Sequence, residues 1–120
     1  MPKKDEHINW ATHDRNFWKS IDLDNTPFTD WAVTGMFYES LHWVEAFLAT
    51  KHYHSGKHRD RLRNMAQFAS DLETVQADYN TLKQDSQNCR YDCSAIHTAQ
   101  EARQFIPLVD HIKNHVSQLL

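Results

Sequence analysis

Histidine is the residue type that stands out, with nine in 120 residues. Imidazole titrates near neutral pH, so this supply suggests acid–base work, metal binding or pH sensing. The richest polar group interrupts the stretch Asp30 to Thr50. Tyr38, His42 and Glu45 lie at helical spacing within it, so one helix face can carry all three. A carboxylate beside an imidazole raises its pKa and fixes its tautomer. Tyr38, His42 and Glu45, with His58 from the following segment, therefore form a candidate polar cleft. The bland reading of the same residues is a hydrogen-bonded, inert network between helices.

Two further groups follow in the chain. His52, His54 and His58 in HYHSGKH could offer three imidazoles to a divalent metal, but no carboxylate accompanies them and a tetrahedral site needs a fourth ligand. A metal-dependent helical enzyme is the reading they would support. Arg59, Arg61 and Arg63 make the densest basic patch, a candidate surface for phosphate or nucleotide. At helical spacing Arg59 and Arg63 share a face and Arg61 points away. A solvated face paired with Asp60 and Asp71 is the competing reading.

The elements that must hold these groups are helices. In Asp30 to Thr50, Phe37, Leu41, Val44 and Leu48 fall on one face, and Trp31, Tyr38, His42 and Glu45 run beside it. A helix apolar on more than one side is a central one. Gly35 within it predicts a close approach by a neighbouring helix. Ile8, Trp10, Ala11, Phe17, Trp18 and Ile21 predict a first amphipathic helix over 5–21, after a loose end at 1–4. Pro27 closes a turn, with Thr29 as the expected N-cap of the central helix. A short helix over 58–68 points Leu62, Met65 and Phe68 inward. The stretches SDLE (from Ser70) and TAQE (from Thr98) read as capping boxes. Leu72, Val75, Tyr79 and Leu82 follow the first, and Phe105, Val109, Ile112 and Val116 follow the second. Pro107 should kink the last helix or delay its start.

With two Gly, three Pro and no strand alternation, the fold expected is all-α. It is a single domain over 1–120, an up-down antiparallel four-helix bundle with one short extra helix. The net charge of −3 excludes a basic nucleic-acid coat, though a local patch is enough for RNA contact. Two cysteines make no disulfide framework. The uncharged runs fall well short of a bilayer span and the N-terminus has no apolar signal core, so a cytoplasmic protein without membrane contact is expected. No cofactor is expected.

Three passages resemble the HEPN superfamily, helical domains found with nucleotidyltransferases and in RNA-cutting toxins. DWAVTGMFYESLHWVEAFLA is similar to the family's central helix. HSGKHRDRLRNM is similar to the segment after it, where a His precedes a basic helix. LKQDSQNCRY is similar to the end of the third long helix, where a Ser precedes an Arg-Tyr pair. With the helix order, the resemblance spans residues 7–118. It implies a homodimer, an RNA or nucleotide target, a toxin–antitoxin or defence-like setting and an antitoxin-like protein partner. Ribonuclease members carry an Arg, four to six residues, then a His. Arg90 and His97, with six residues between them, fit that spacing and are the implied catalytic pair. An imidazole would take the 2′-hydroxyl proton and a guanidinium would hold the phosphorane charge, without metal. Active members carry a polar residue directly after the Arg, where this chain has Tyr91. The alternative implied is a non-catalytic binding or dimerisation module.

Overall fold

In a computed structural model, which describes residues 2–92 and 97–120, the protein is all-helical. The order is α1 (Lys4–Lys19), α2 (Thr29–Thr50), α3 (His58–Gln67), α4 (Ala69–Tyr91), α5 (Ala99–Arg103) and α6 (Ile106–Ser117). No strand occurs among the described residues, and no helix among them is long and apolar enough to cross a membrane.

The central position of α2 follows from its composition. Sixteen of its 22 residues are buried, which a helix can satisfy only with neighbours on several sides. α1, α4 and α6 supply them. Phe37, Val44 and Leu48 meet Leu72, Val75, Tyr79 and Leu82 of α4 and Val109, Ile112 and Val116 of α6 in one core. Each such side chain, fully withdrawn from water, stabilises the fold by about 1.5–3 kcal/mol. A second, smaller cluster joins Leu23, Ala32, Val33 and Ala102 where α5 reaches α2. Gly35 does mark a close approach. A Cβ there would stand 3.2 Å from Trp18 Cβ and 3.0 Å from the Phe17 ring, so α1 lies almost on the α2 backbone.

Several local expectations change. The first helix starts at Lys4, with the Lys3 N–H donating to Glu6 Oε1 at 3.3 Å, so the loose end is shorter than expected. Its buried edge is narrow: His7, Ala11 and Trp18 go in, while Trp10 and Phe17 stay about half exposed. Thr29 does not cap α2. Phe28 occupies that position, and the Thr29 hydroxyl donates to the His97 carbonyl at 2.5 Å. Ser70 does not cap α4 either. The helix begins two residues earlier than that cap implies, at Ala69, and the single residue Phe68 separates it from α3. The Phe68 ring packs edge-on against Phe47 and Tyr53, at 5.6 and 5.2 Å between centroids. Tertiary packing thus places the boundary that local sequence put at Ser70.

The second box forms as read. Thr98 Oγ1 accepts from the Glu101 N–H at 3.1 Å, and Glu101 Oε1 accepts from the Thr98 N–H at 3.0 Å. The helix it opens is only α5. Pro107 sits in the first turn of α6, where its missing N–H is no loss, and the chain breaks at residues 104–105 instead of kinking.

Candidate functional site

The C-terminal end of α4 carries Arg90 and Tyr91 toward α2. The Arg90 guanidinium lies 5.6 Å from the Tyr38 ring centroid and 5.5 Å from that of Tyr91. Its Nη1 donates to Ser86 Oγ, one turn back, at 3.1 Å. Ser86 is buried, and its own hydroxyl donates to the Lys83 carbonyl at 3.1 Å. Arg90 is thereby steered across two aromatic faces, an arrangement that adds cation–π attraction to its charge. A recess of about 360 Å³ opens beside it, lined by Asp30, Trp31, Thr34, Cys89, Arg90 and Tyr91. Trp31 and Tyr91 are exposed there. Burial, helped by Asp30 and Asp85, pushes the Cys89 thiol up to about 11, so this wall of the recess is uncharged.

His97 faces other neighbours. Its ring packs against Phe105, 5.2 Å between centroids. Its Nε2 lies 4.0 Å from Asp85 Oδ1 and its Nδ1 lies 3.8 Å from Glu101 Oε2. Nε2 is buried without a hydrogen-bond partner. The Thr98 N–H and hydroxyl hold the Glu101 carboxyl below the usual carboxylate range. Four of the residues between Arg90 and His97, at 93–96, lie outside the described part of the chain.

In the candidate polar cleft the partners of Tyr38, His42 and Glu45 differ, although His42 and Glu45 still border one recess. Tyr38 turns to Arg90. Glu45 accepts from Arg61 Nε at 2.6 Å, with both side chains buried. His42 meets His7 of α1, Nδ1 to Nδ1 at 3.1 Å, and its Nε2 lies 3.9 Å from Asp14 Oδ2. No carboxylate raises the His42 pKa. Burial, then the positive charge of His7 and Arg61, pushes it down to about 4. His58 Nδ1 lies 3.0 Å from Arg61 Nη1. A second recess of about 260 Å³ is bordered by His7, His42, His54, Glu45 and Arg61.

The basic patch is not one surface. Arg59 and Arg63 are exposed and share a face as expected, with Arg63 lying 4.0 Å from Asp60. Arg61 points the other way and its charge is committed to Glu45. The three metal candidates also separate. His52 is exposed at φ 64°. His54 borders the second recess, and His58 bonds Arg61. Among the described residues, no three metal-binding side chains are gathered.

Sequence reasoning missed the most enclosed charge. Glu39 is fully buried, yet its carboxylate accepts from Trp18 Nε1 at 2.7 Å, Trp43 Nε1 at 2.9 Å and Arg15 Nη1 at 3.0 Å. Arg15 reaches on to Asp110 of α6 at 2.6 Å. These bonds tie α1, α2 and α6 together and are structural. The available signal was an acid at an interior position of an otherwise apolar helix. His7, the partner of His42, lies one turn before Ala11 on the buried edge of α1, and that helical spacing was the available signal.

Comparison with protein-family models, with curated proteins and with solved structures finds no match to this chain.

Proposed function

We propose that the protein binds RNA or nucleotide at the Arg90 surface, as a HEPN-like up-down antiparallel four-helix bundle. The observation that carries this reading is the Arg90 guanidinium set between the Tyr38 and Tyr91 rings, beside a recess edged by exposed Trp31. A cation interleaved with exposed aromatic faces is the arrangement that holds single-stranded nucleic acid, the charge meeting phosphate and the rings meeting bases. The HEPN-like reading rests on the three sequence passages, on the all-helical fold and on the central place of α2. The same likeness supports a homodimer, for which the exposed Phe17 and Phe28 offer apolar surface. It also supports a toxin–antitoxin or defence-like setting with an antitoxin-like partner.

Binding is favoured over cleavage by the position of His97. A general base must reach the 2′-hydroxyl. His97 Nε2 is buried, and both ring nitrogens face carboxylates. The metal-independent ribonuclease with Arg90 and His97 is therefore the second reading. One experiment separates them. A short unstructured RNA, labelled for anisotropy, is titrated with the protein in EDTA and then run on a denaturing gel, beside Arg90→Ala and His97→Ala. Binding without cleavage, weakened about tenfold or more by Arg90→Ala and unchanged by His97→Ala, is expected. Cleavage lost in both variants would establish the ribonuclease. No binding to RNA or to free nucleotides would end both readings.

A further inference from the structure

Asp30 and Trp31, in the first turn of α2, line the same recess as Arg90 and Tyr91, in the last turn of α4. A carboxylate and a guanidinium thus border one cavity of about 360 Å³, within the range of small-ligand sites, about 300–1,000 Å³. The two charges are not closed on one another. No ion pair among the described residues engages Asp30 or Arg90. Arg90 is held by its own helix and by aromatic rings: it donates to Ser86 Oγ at 3.1 Å and lies over Tyr38 and Tyr91. Asp30 is anchored through its backbone, whose carbonyl accepts from the Thr34 hydroxyl at 2.8 Å. Its place in the first turn of α2 favours the carboxylate there. Among the described residues lining the recess, Asp30 is the one acid.

This pairing of groups sorts the four bases. An aromatic face and a cation hold any nucleotide, with little preference among bases. A carboxylate is different, because it accepts and cannot donate. The Watson–Crick edge of guanine sets two donors side by side, N1–H and N2–H, and a carboxylate fork can take both. Adenine and cytosine each set one amino donor beside a ring acceptor, and uracil sets one donor between two carbonyls. In those three a lone pair of the base meets a lone pair of the carboxylate, a mismatch that works against binding.

We propose that the Arg90 recess selects guanine, with Asp30 as the specificity-determining residue that accepts from the N1–H and N2–H of a base stacked on Trp31. The proposal rests on the RNA- or nucleotide-binding reading of the Arg90 surface and narrows it. Arg90 supplies affinity that every nucleotide shares, and Asp30 supplies the choice among them. The guanine is carried either by a free nucleotide or by a single-stranded RNA.

The test is calorimetric titration of the protein, in EDTA, with the monophosphates of guanosine, inosine, adenosine, cytidine and uridine. Guanosine monophosphate is expected to bind about tenfold or more tightly than each of the others. Inosine belongs to that weaker set because its base keeps N1–H and lacks the amino group, and this comparison needs no substitution. Asp30→Asn is isosteric and exchanges one acceptor for a donor, so guanosine should lose its advantage and adenosine should overtake it. Arg90→Ala should weaken all five alike. Short oligouridylates with and without one central guanosine distinguish the sources. If RNA is the source, the guanosine-containing strand binds at least tenfold more tightly than guanosine monophosphate. If free nucleotide is, the strand binds no better than the monophosphate. Equal affinity for all five nucleotides, equal affinity for inosine and guanosine, or an unaltered preference in folded Asp30→Asn would overturn the proposal. Equal affinities that Arg90→Ala still weakens would leave the Arg90 binding surface standing without its selectivity. No binding of any nucleotide or RNA would end both.

Discussion

Arg61 Nε lies 2.6 Å from Glu45 Oε1, and this pair of opposite charges is almost wholly withdrawn from solvent, with side-chain exposures of 8% and 4%. It joins α3, which has few other contacts, to the central helix. Removing one partner leaves the other charge buried and alone, which costs about 3–5 kcal/mol. Arg61→Ala is therefore expected to lower unfolding free energy by about that amount in urea titrations. Arg61→Met with Glu45→Met should recover much of the loss. A single variant within about 1 kcal/mol of wild type would show that water reaches the pair.

The His7–His42 contact predicts acid sensitivity. Both imidazoles are held below their ordinary pKa, His42 at about 4, chiefly by burial. The unfolded chain takes up protons near pH 6.5, while folded His42 does not. Stability from this group is therefore full above pH 6.5 and falls as pH drops towards 4, levelling below. One pKa unit is worth about 1.4 kcal/mol, so the loss is bounded on the order of 3 kcal/mol. Asp14, whose carboxyl burial pushes up, works in the opposite sense at lower pH. Comparing wild type with His42→Gln at pH 7.5 and 4.5 isolates the histidine contribution, and the variant should show the shallower fall.

Tyr79 predicts a neutral or favourable deletion. Its hydroxyl is buried without a hydrogen-bond partner, and burial pushes its pKa to about 12. Tyr79→Phe removes a desolvated group while keeping the ring against Phe37. Because an unpaired buried hydroxyl is worth about 1–3 kcal/mol against folding, the variant should match or exceed wild-type stability. A loss above 2 kcal/mol would mean that Arg61 satisfies the hydroxyl.

His52 stands just past α2 in the left-handed region, with φ 64°. A side chain there is strained by about 1 kcal/mol, and glycine is not. His52 is exposed, so His52→Gly should raise stability by roughly that much, read as a higher denaturation midpoint. An unchanged or lower midpoint would show that the imidazole makes a stabilising contact.

The helices were legible where burial and period agreed. α2 and the inner face of α4 read directly from apolar spacing, and the Thr98 box read from local chemistry alone. Ser70 and Thr29 carried the same kind of cap signal and lost. Phe68 is pinned by Phe47 and Tyr53, and the Thr29 hydroxyl is taken by the His97 carbonyl. The site was less legible because its pairings are long-range. Spacing put Glu45 beside His42, but tertiary structure gave Glu45 to Arg61 and His42 to His7. Nothing in a helical period announces which of several nearby charges will win a buried carboxylate.

The tryptophans have an optical consequence. Trp18 and Trp43 donate to the enclosed Glu39 carboxylate, whereas Trp10 and Trp31 are 54% and 53% exposed. Emission from the first two should be blue-shifted and sensitive to unfolding. Trp31 borders the recess beside Arg90, so in a Trp10→Phe background an incoming nucleobase would quench the red edge of the spectrum and leave the blue edge intact. The chain carries its own spectroscopic pair, one reporter for the core and one for the mouth of the site.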